Sequence, residues 1–184
     1  VTRINSYAFY NSDLTGVVLP GTLTYIGDYA FAGSALKQLV LPGSLKIVGK
    51  AAFSACRSMT TVVLNGNPEY QGSASTGVFS GCDQLQTVTI ANGLTQLGDG
   101  MFAHCTKLSA VVLPDTLTRI GESAFFSCHA LKRITLPDAL TILDKNAFAD
   151  CKALQSIRIP ANVKSLSANT FVRCRALTSV TLPD

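Results

Sequence analysis

The sequence predicts a repeat solenoid of stacked 22–23-residue coils, with a parallel β-sheet on one face and short turns or single helical turns on the other. Three observations predict it. Phenylalanine recurs at Phe9, Phe31, Phe53, Phe79, Phe102, Phe125, Phe148 and Phe171, at intervals of 22, 22, 26, 23, 23, 23 and 23 residues. The other apolar residues keep phase with it: Leu113-Pro114, Leu117, Ile120-Gly121, Ala124-Phe125, Cys128, Leu131 and Ile134 are followed by Leu136-Pro137, Leu140, Leu143, Ala147-Phe148, Cys151, Leu154 and Ile157. Proline and glycine return at fixed places in most units, which no continuous amphipathic helix tolerates.

Each element follows from local chemistry. Ala110-Val111-Val112-Leu113 is rich in β-branched residues and alternates, so it reads as a strand with Val111 and Leu113 on one face. Pro114 ends that strand because it cannot donate to a ladder. Leu117 to Ile120 is a second extended or turn-like stretch, closed by Gly121. Ser123 to Cys128 has room for one helical turn, with Ala124 and Cys128 spaced i, i+4 on one side. A single coil cannot bury enough apolar surface to offset the ordering of its residues, so the coils must stack. Residues 1–184 thus read as a single array of seven to eight coils, with 65–78 an irregular coil carrying an insertion.

Composition narrows the classes. With 47% hydrophobic and 14% charged residues the chain can bury a core and is not disordered. A formal net charge of +4 does not call for nucleic acid. No apolar run reaches the roughly 18 residues of a membrane helix. The chain opens in mid-pattern at Val1 and stops after Leu182-Pro183-Asp184, with no polar capping segment at either end, and is therefore expected to be a fragment of a longer protein.

The repeat Leu-Pro-x-x-Leu-x-x-Ile-Gly-x-x-Ala-Phe-x-x-Cys resembles the BspA-like class of leucine-rich repeats of bacterial and protozoan surface proteins, over essentially the whole chain. The resemblance implies a leucine-rich repeat horseshoe or flattened solenoid, in a cell-surface or secreted protein involved in adhesion or host interaction. It also implies that the partner is another protein, a host or neighbouring-cell surface protein, met on the strand face. A structural spacer or scaffold with no ligand of its own is the alternative.

The irregular coil lacks the Leu and Ile-Gly pair and is rich in Gly, Ser and Asn. Its Asn67-Pro68-Glu69-Tyr70 start resembles coils that interrupt arrays of this class. Tyr70 either substitutes for a core aliphatic or belongs to a protruding contact loop.

Residues that suggest chemistry have plainer readings. Cys56, Cys82, Cys105, Cys128, Cys151 and Cys174 each follow a repeat phenylalanine by three residues, where the first two coils have Ser12 and Ser34. The position calls for a small side chain, and stacked cysteines with parallel Cβ vectors suit no disulfide; a buried, reduced thiol ladder is expected. Zinc needs clustered ligands that are not present in the pattern. His104 and His129 occupy different repeat positions and read as surface residues. Asp115, Asp138 and Asp184 recur after the strand proline as turn chemistry. No G-x-S-x-G, P-loop or H-E-x-x-H pattern occurs, so no catalytic, cofactor or metal site is expected.

What remains for binding is surface. The outward strand position reads Val18, Val40, Val63, Thr89, Val112, Thr135, Arg158 and Thr181, a partner-binding face if strand side chains alternate. Exposed valines exceed what solubility favours, although β-branched residues also simply stabilise strands. Lysine and arginine rise toward the C-terminal end, with Lys132, Arg133 and Arg158 on or beside that face and Lys152, Arg173 and Arg175 near the turns. Acidic residues rise as well, which suits an ordinary solvated surface. Phe126 stands where other coils mostly have Ala or Ser.

Overall fold

The computed structural model describes residues 1–183; Asp184, expected in a turn, lies outside them. Thirteen short strands form among the described residues: β1 (Arg3–Ile4), β2 (Tyr25–Ile26), β3 (Gln38–Leu41), β4 (Ile47–Val48), β5 (Thr61–Leu64), β6 (Glu69–Tyr70), β7 (Thr87–Ile90), β8 (Gln96–Leu97), β9 (Ala110–Val112), β10 (Arg119–Ile120), β11 (Ile142–Leu143), β12 (Ser156–Arg158) and β13 (Ser179–Thr181). All pairing is parallel and joins consecutive coils, as a solenoid requires.

Each coil has three sides. The longer strands, placed where the Val-rich alternation predicts them, form the sheet β3-β5-β7-β9 and the pair β12-β13. Residues 17–19 and 133–136 hold the same place in their coils without forming strands. The second side, from the stretch ending at Ile-Gly, carries the sheets β1-β2-β4-β6 and β8-β10-β11. The gap between β6 and β8 is where the irregular coil passes, and there Asn67 Oδ1 replaces a ladder carbonyl by accepting from the Thr95 N–H at 3.2 Å.

The third side is a wall of turns around each phenylalanine. Of the two forms expected there, the structure has the turn and not the helical one. In the coil of Phe125, the N–H groups of Ala124, Phe126 and Cys128 bond back to Gly121, Ser123 and Phe125 at 3.2, 3.0 and 3.2 Å. Those of Ser123, Phe125 and Ser127 cross instead to Lys145, Ala147 and Ala149 of the next coil at 3.1, 2.8 and 2.9 Å. An α-helix keeps all its interior donors within itself, so a backbone that sends every second donor to its neighbour cannot be one. The alternation uses left-handed residues two before and two after the phenylalanine, such as Ser123 and Ser127 (φ 55° and 60°) or Asn146 and Asp150 (φ 57° and 60°).

The core runs unbroken along the array. Phe31, Phe53, Phe79, Phe102, Phe125 and Phe148 are fully buried, and successive rings stack with centroids 5.1 to 5.7 Å apart. Phe9, in the first coil, has a neighbour on one side only and is 39% exposed.

Candidate protein-binding face

The strand-face residues expected from the alternation do come together. Register pairs Val40 with Val63, Val63 with Thr89, Thr89 with Val112, and Arg158 with Thr181, so these side chains form outward columns. Their inward neighbours Leu39, Leu41, Val62, Leu64, Val88 and Ile90 are buried, as alternation along a strand demands. Val40 and Val112 are exposed by 57% and 60%, while Val63 between them is half-buried by its neighbours. Val18 is 95% exposed and Thr135 exposed too, but both lie on segments outside the regular ladder.

Those two irregular segments hollow the face at its ends. Beyond the bond from Lys37 N–H to the Thr15 carbonyl, no backbone bond among the described residues ties 16–19 to β3. The resulting depression of about 710 Å³ has Val17, Val18, Leu19 and Val40 in its wall. At the other end a depression of about 490 Å³ lies over Arg133, Thr135, Ser156 and Arg158. The first is aliphatic and the second basic and hydroxylic.

Tyr70 sits in register with buried Val48 and packs its ring against the core in the place of an aliphatic side chain. Its hydroxyl is buried with no hydrogen-bond partner, and burial pushes its pKa above the usual tyrosine value. What projects from the irregular coil is the segment Gln71 to Ser75, tied by Ser73 and Thr76 hydroxyls 3.0 Å apart. A cleft of about 360 Å³ opens beside it, bordered by Asn67, Glu69, Asp99 and Arg119. The Arg119 guanidinium there is already engaged by Asp99 and Asp144 at 3.0 and 2.6 Å.

The cysteines form the thiol ladder that the spacing suggests, all six free and buried. Each also donates to the carbonyl of the phenylalanine one coil earlier, at 3.1 to 3.3 Å. Desolvation pushes the Cys105, Cys128, Cys151 and Cys174 thiols up, away from the thiolate a nucleophile needs. Of the histidines, His104 is exposed and meets Phe126 in a T-shaped pair, 5.1 Å between ring centroids. His129 meets Asp150, 3.2 Å from Nε2 to Oδ2.

Asp150 is a junction that sequence reading missed. Its carboxylate, 15% exposed, also accepts from Ser127 at 3.2 Å and pairs with Lys152 and Arg173 at 3.7 and 3.5 Å. Burial alone would raise its pKa, but His129, Lys152, Ser127 and Arg173 outweigh that and hold it below the ordinary carboxylate value. Two members of the basic drift are thereby neutralised locally. No group of three or more potential metal ligands gathers among the described residues.

Comparison with known proteins puts this geometry in context. The profile of the BspA type leucine-rich repeat region matches residues 2–111 and 72–184, in six copies. A leucine-rich repeat protein of Bacteroides ovatus superposes with a TM-score of 0.90 at 30% identity, over 98% of this chain and 46% of that one. A leucine-rich cell surface protein of Faecalibacterium prausnitzii is similar at TM-score 0.62 and 27% identity, over 100% of this chain and 58% of its own. A leucine-rich repeat protein of T. pallidum matches at TM-score 0.69 and 30% identity, over 79% and 69% of the respective chains. This chain thus spans about half the length of the first two. Comparison with curated proteins finds no match.

Proposed function

The chain belongs to the BspA-type leucine-rich repeat family, and from that premise we propose that it is a protein-binding module of a cell-surface or secreted protein. Its partner is a protein on a host or neighbouring cell, in an adhesive contact, and it docks on the strand face. The observation that supports this most is the exposed aliphatic column of Val40, Val63 and Val112, held in register on an ordered sheet. Side chains already fixed by a ladder lose little freedom on binding, so their contact area converts efficiently into affinity. The surface location is supported by the Faecalibacterium protein, which is described as a cell surface protein. Family and chemistry both favour binding over catalysis, since the cysteines are spent on carbonyl bonds inside the core.

The uninterrupted stack of phenylalanines also supports a second reading, a rigid spacer that presents another domain. One experiment separates the two. Fluorescently labelled chain is titrated onto host and neighbouring bacterial cells, beside a Val40→Glu/Val112→Glu chain with unchanged thermal unfolding. At least a tenfold loss of cell binding is expected from the double change. Binding that survives it removes the strand-face reading, and a wild-type chain that binds no cell supports the spacer.

A further inference from the structure

Outward residues of neighbouring coils form a checkerboard at the C-terminal end of the strand face. By the repeat, Arg133 and Thr135 stand beside Ser156 and Arg158, which pair in turn with Ser179 and Thr181. The two arginines occupy one diagonal of the first square, and Thr135 and Ser156 the other. Both arginines border one depression of about 490 Å³, so their guanidinium groups flank a space in which a single carboxylate can be held.

The charges there are only partly engaged. Among the described residues, Lys50, Arg119, Lys145, Lys152 and Arg173 all sit in ion pairs away from this face. Arg133 is exposed and makes no salt bridge among the described residues. Arg158 has one partner, Asp138 at 2.9 Å, with the two side chains 63% and 82% exposed. An ion pair that open to water contributes little and is readily exchanged for a second carboxylate. The depression of about 490 Å³ over these residues gives an incoming side chain somewhere to sit, with hydroxyl donors around it.

We infer that this square is a carboxylate-binding subsite, which takes a Glu or Asp side chain of the protein that docks on the strand face. The inference rests on the strand-face reading and sharpens it. The partner carries an aliphatic patch for Val40 to Val112 and, two coils further or about 10 Å away, an acidic residue. Lys132, next to Arg133 and also exposed, adds to the attraction without a fixed geometry.

Hexaglutamate is a sufficient probe and requires no knowledge of the partner. Titrated into isotope-labelled chain, it should shift the Nε–H signals of Arg133 and Arg158 together and saturably. Arg133→Gln should weaken that binding about fivefold or more, since a charge-assisted contact is lost, whereas Lys37→Gln at the opposite end of the face should not. Equal loss from both substitutions, or shifts spread evenly over all exposed cations, overturns the subsite. So does inorganic sulfate that matches hexaglutamate at the same ionic strength, because a tetrahedral anion would then be the better fit. If hexaglutamate fails while Val40→Glu/Val112→Glu still abolishes cell binding, the subsite falls and the strand face stands.

Discussion

The Sγ of Cys128 donates to the carbonyl oxygen of Phe102, one coil earlier, at 3.3 Å. The contact recurs at all six cysteines, whereas Ser34 at the same place meets Cys56 Sγ at 3.4 Å and Ser12 Oγ is buried without a partner. A small side chain with a donor both fits the gap and satisfies a carbonyl of the turn wall. Cys128→Ser keeps the donor and is expected to cost about 1 kcal/mol. Cys128→Val removes the donor and overfills the gap, costing about 2–4 kcal/mol. Urea midpoints of the two variants check the order; a valine variant as stable as the serine one would remove the hydrogen bond from the account.

The same burial sets an alkaline limit. The folded pKa values of Cys105, Cys128 and Cys151 lie above that of a free thiol, near 8.5 in the unfolded chain. Above roughly pH 8.5 the unfolded chain therefore sheds protons that the native one retains. Stability is full below that pH and falls as pH rises through it, by up to about 1.4 kcal/mol per pH unit for each such thiol. Thermal unfolding from pH 7 to 10 should show the fall, and Cys105→Ser/Cys128→Ser should make it shallower.

Asp150 sets the opposite limit. Its depressed pKa means that its contribution is present above the unfolded carboxylate pKa, about 4, and is lost as pH falls through the lower folded value. Asp150→Asn should flatten the acid side of a stability–pH curve while leaving its alkaline side in place. An unchanged acid side would mean that the junction with His129, Lys152 and Arg173 is structurally idle.

The phenylalanine stack has unequal members. Phe102→Ala empties a site closed on both sides and is expected to cost about 3–5 kcal/mol. Phe9→Ala, at a ring 39% exposed, should cost less than half as much. Equal losses in urea denaturation would contradict a core built by stacking.

Ala55 lies in the left-handed region at φ 53°, which an alanine enters at a cost and a glycine does not. Ala55→Gly is expected to raise stability by about 0.5–1 kcal/mol, and Ala52→Gly, at a buried position three residues earlier, to lower it. Tyr70→Phe should also be neutral or favourable, up to about 1 kcal/mol, because it removes an unpartnered buried hydroxyl.

Most of the architecture was legible because it repeats. Eight phenylalanines in phase fix the coil, and the alternation at Val111 and Leu113 fixes which side chains turn inward. The turn wall was harder. Ala124 and Cys128 have helical spacing, and only the Asn, Gly, Asp and Ser that hold many of the places two residues either side of the phenylalanines mark left-handed backbone instead. The Asp150 junction was invisible because its partners come from three coils, and sequence distance gives no hint which surface charges will meet. The breaks in the strand face at 17–19 and 133–136 have no signature either, since Val17-Val18-Leu19 and Ile134-Thr135-Leu136 match the strands beside them.

The direction of the hydrogen bonds has a mechanical consequence. Bonds between coils run along the array, on the sheets and through the turn wall alike. A force pulling the two ends apart along that axis loads them a few at a time, as a zipper is loaded, and not all together in shear. Extension should therefore proceed coil by coil, each 23-residue unit releasing roughly 70–80 Å of chain at a similar modest force. Such an array dissipates a tug in small instalments while the remaining coils keep their strand face intact.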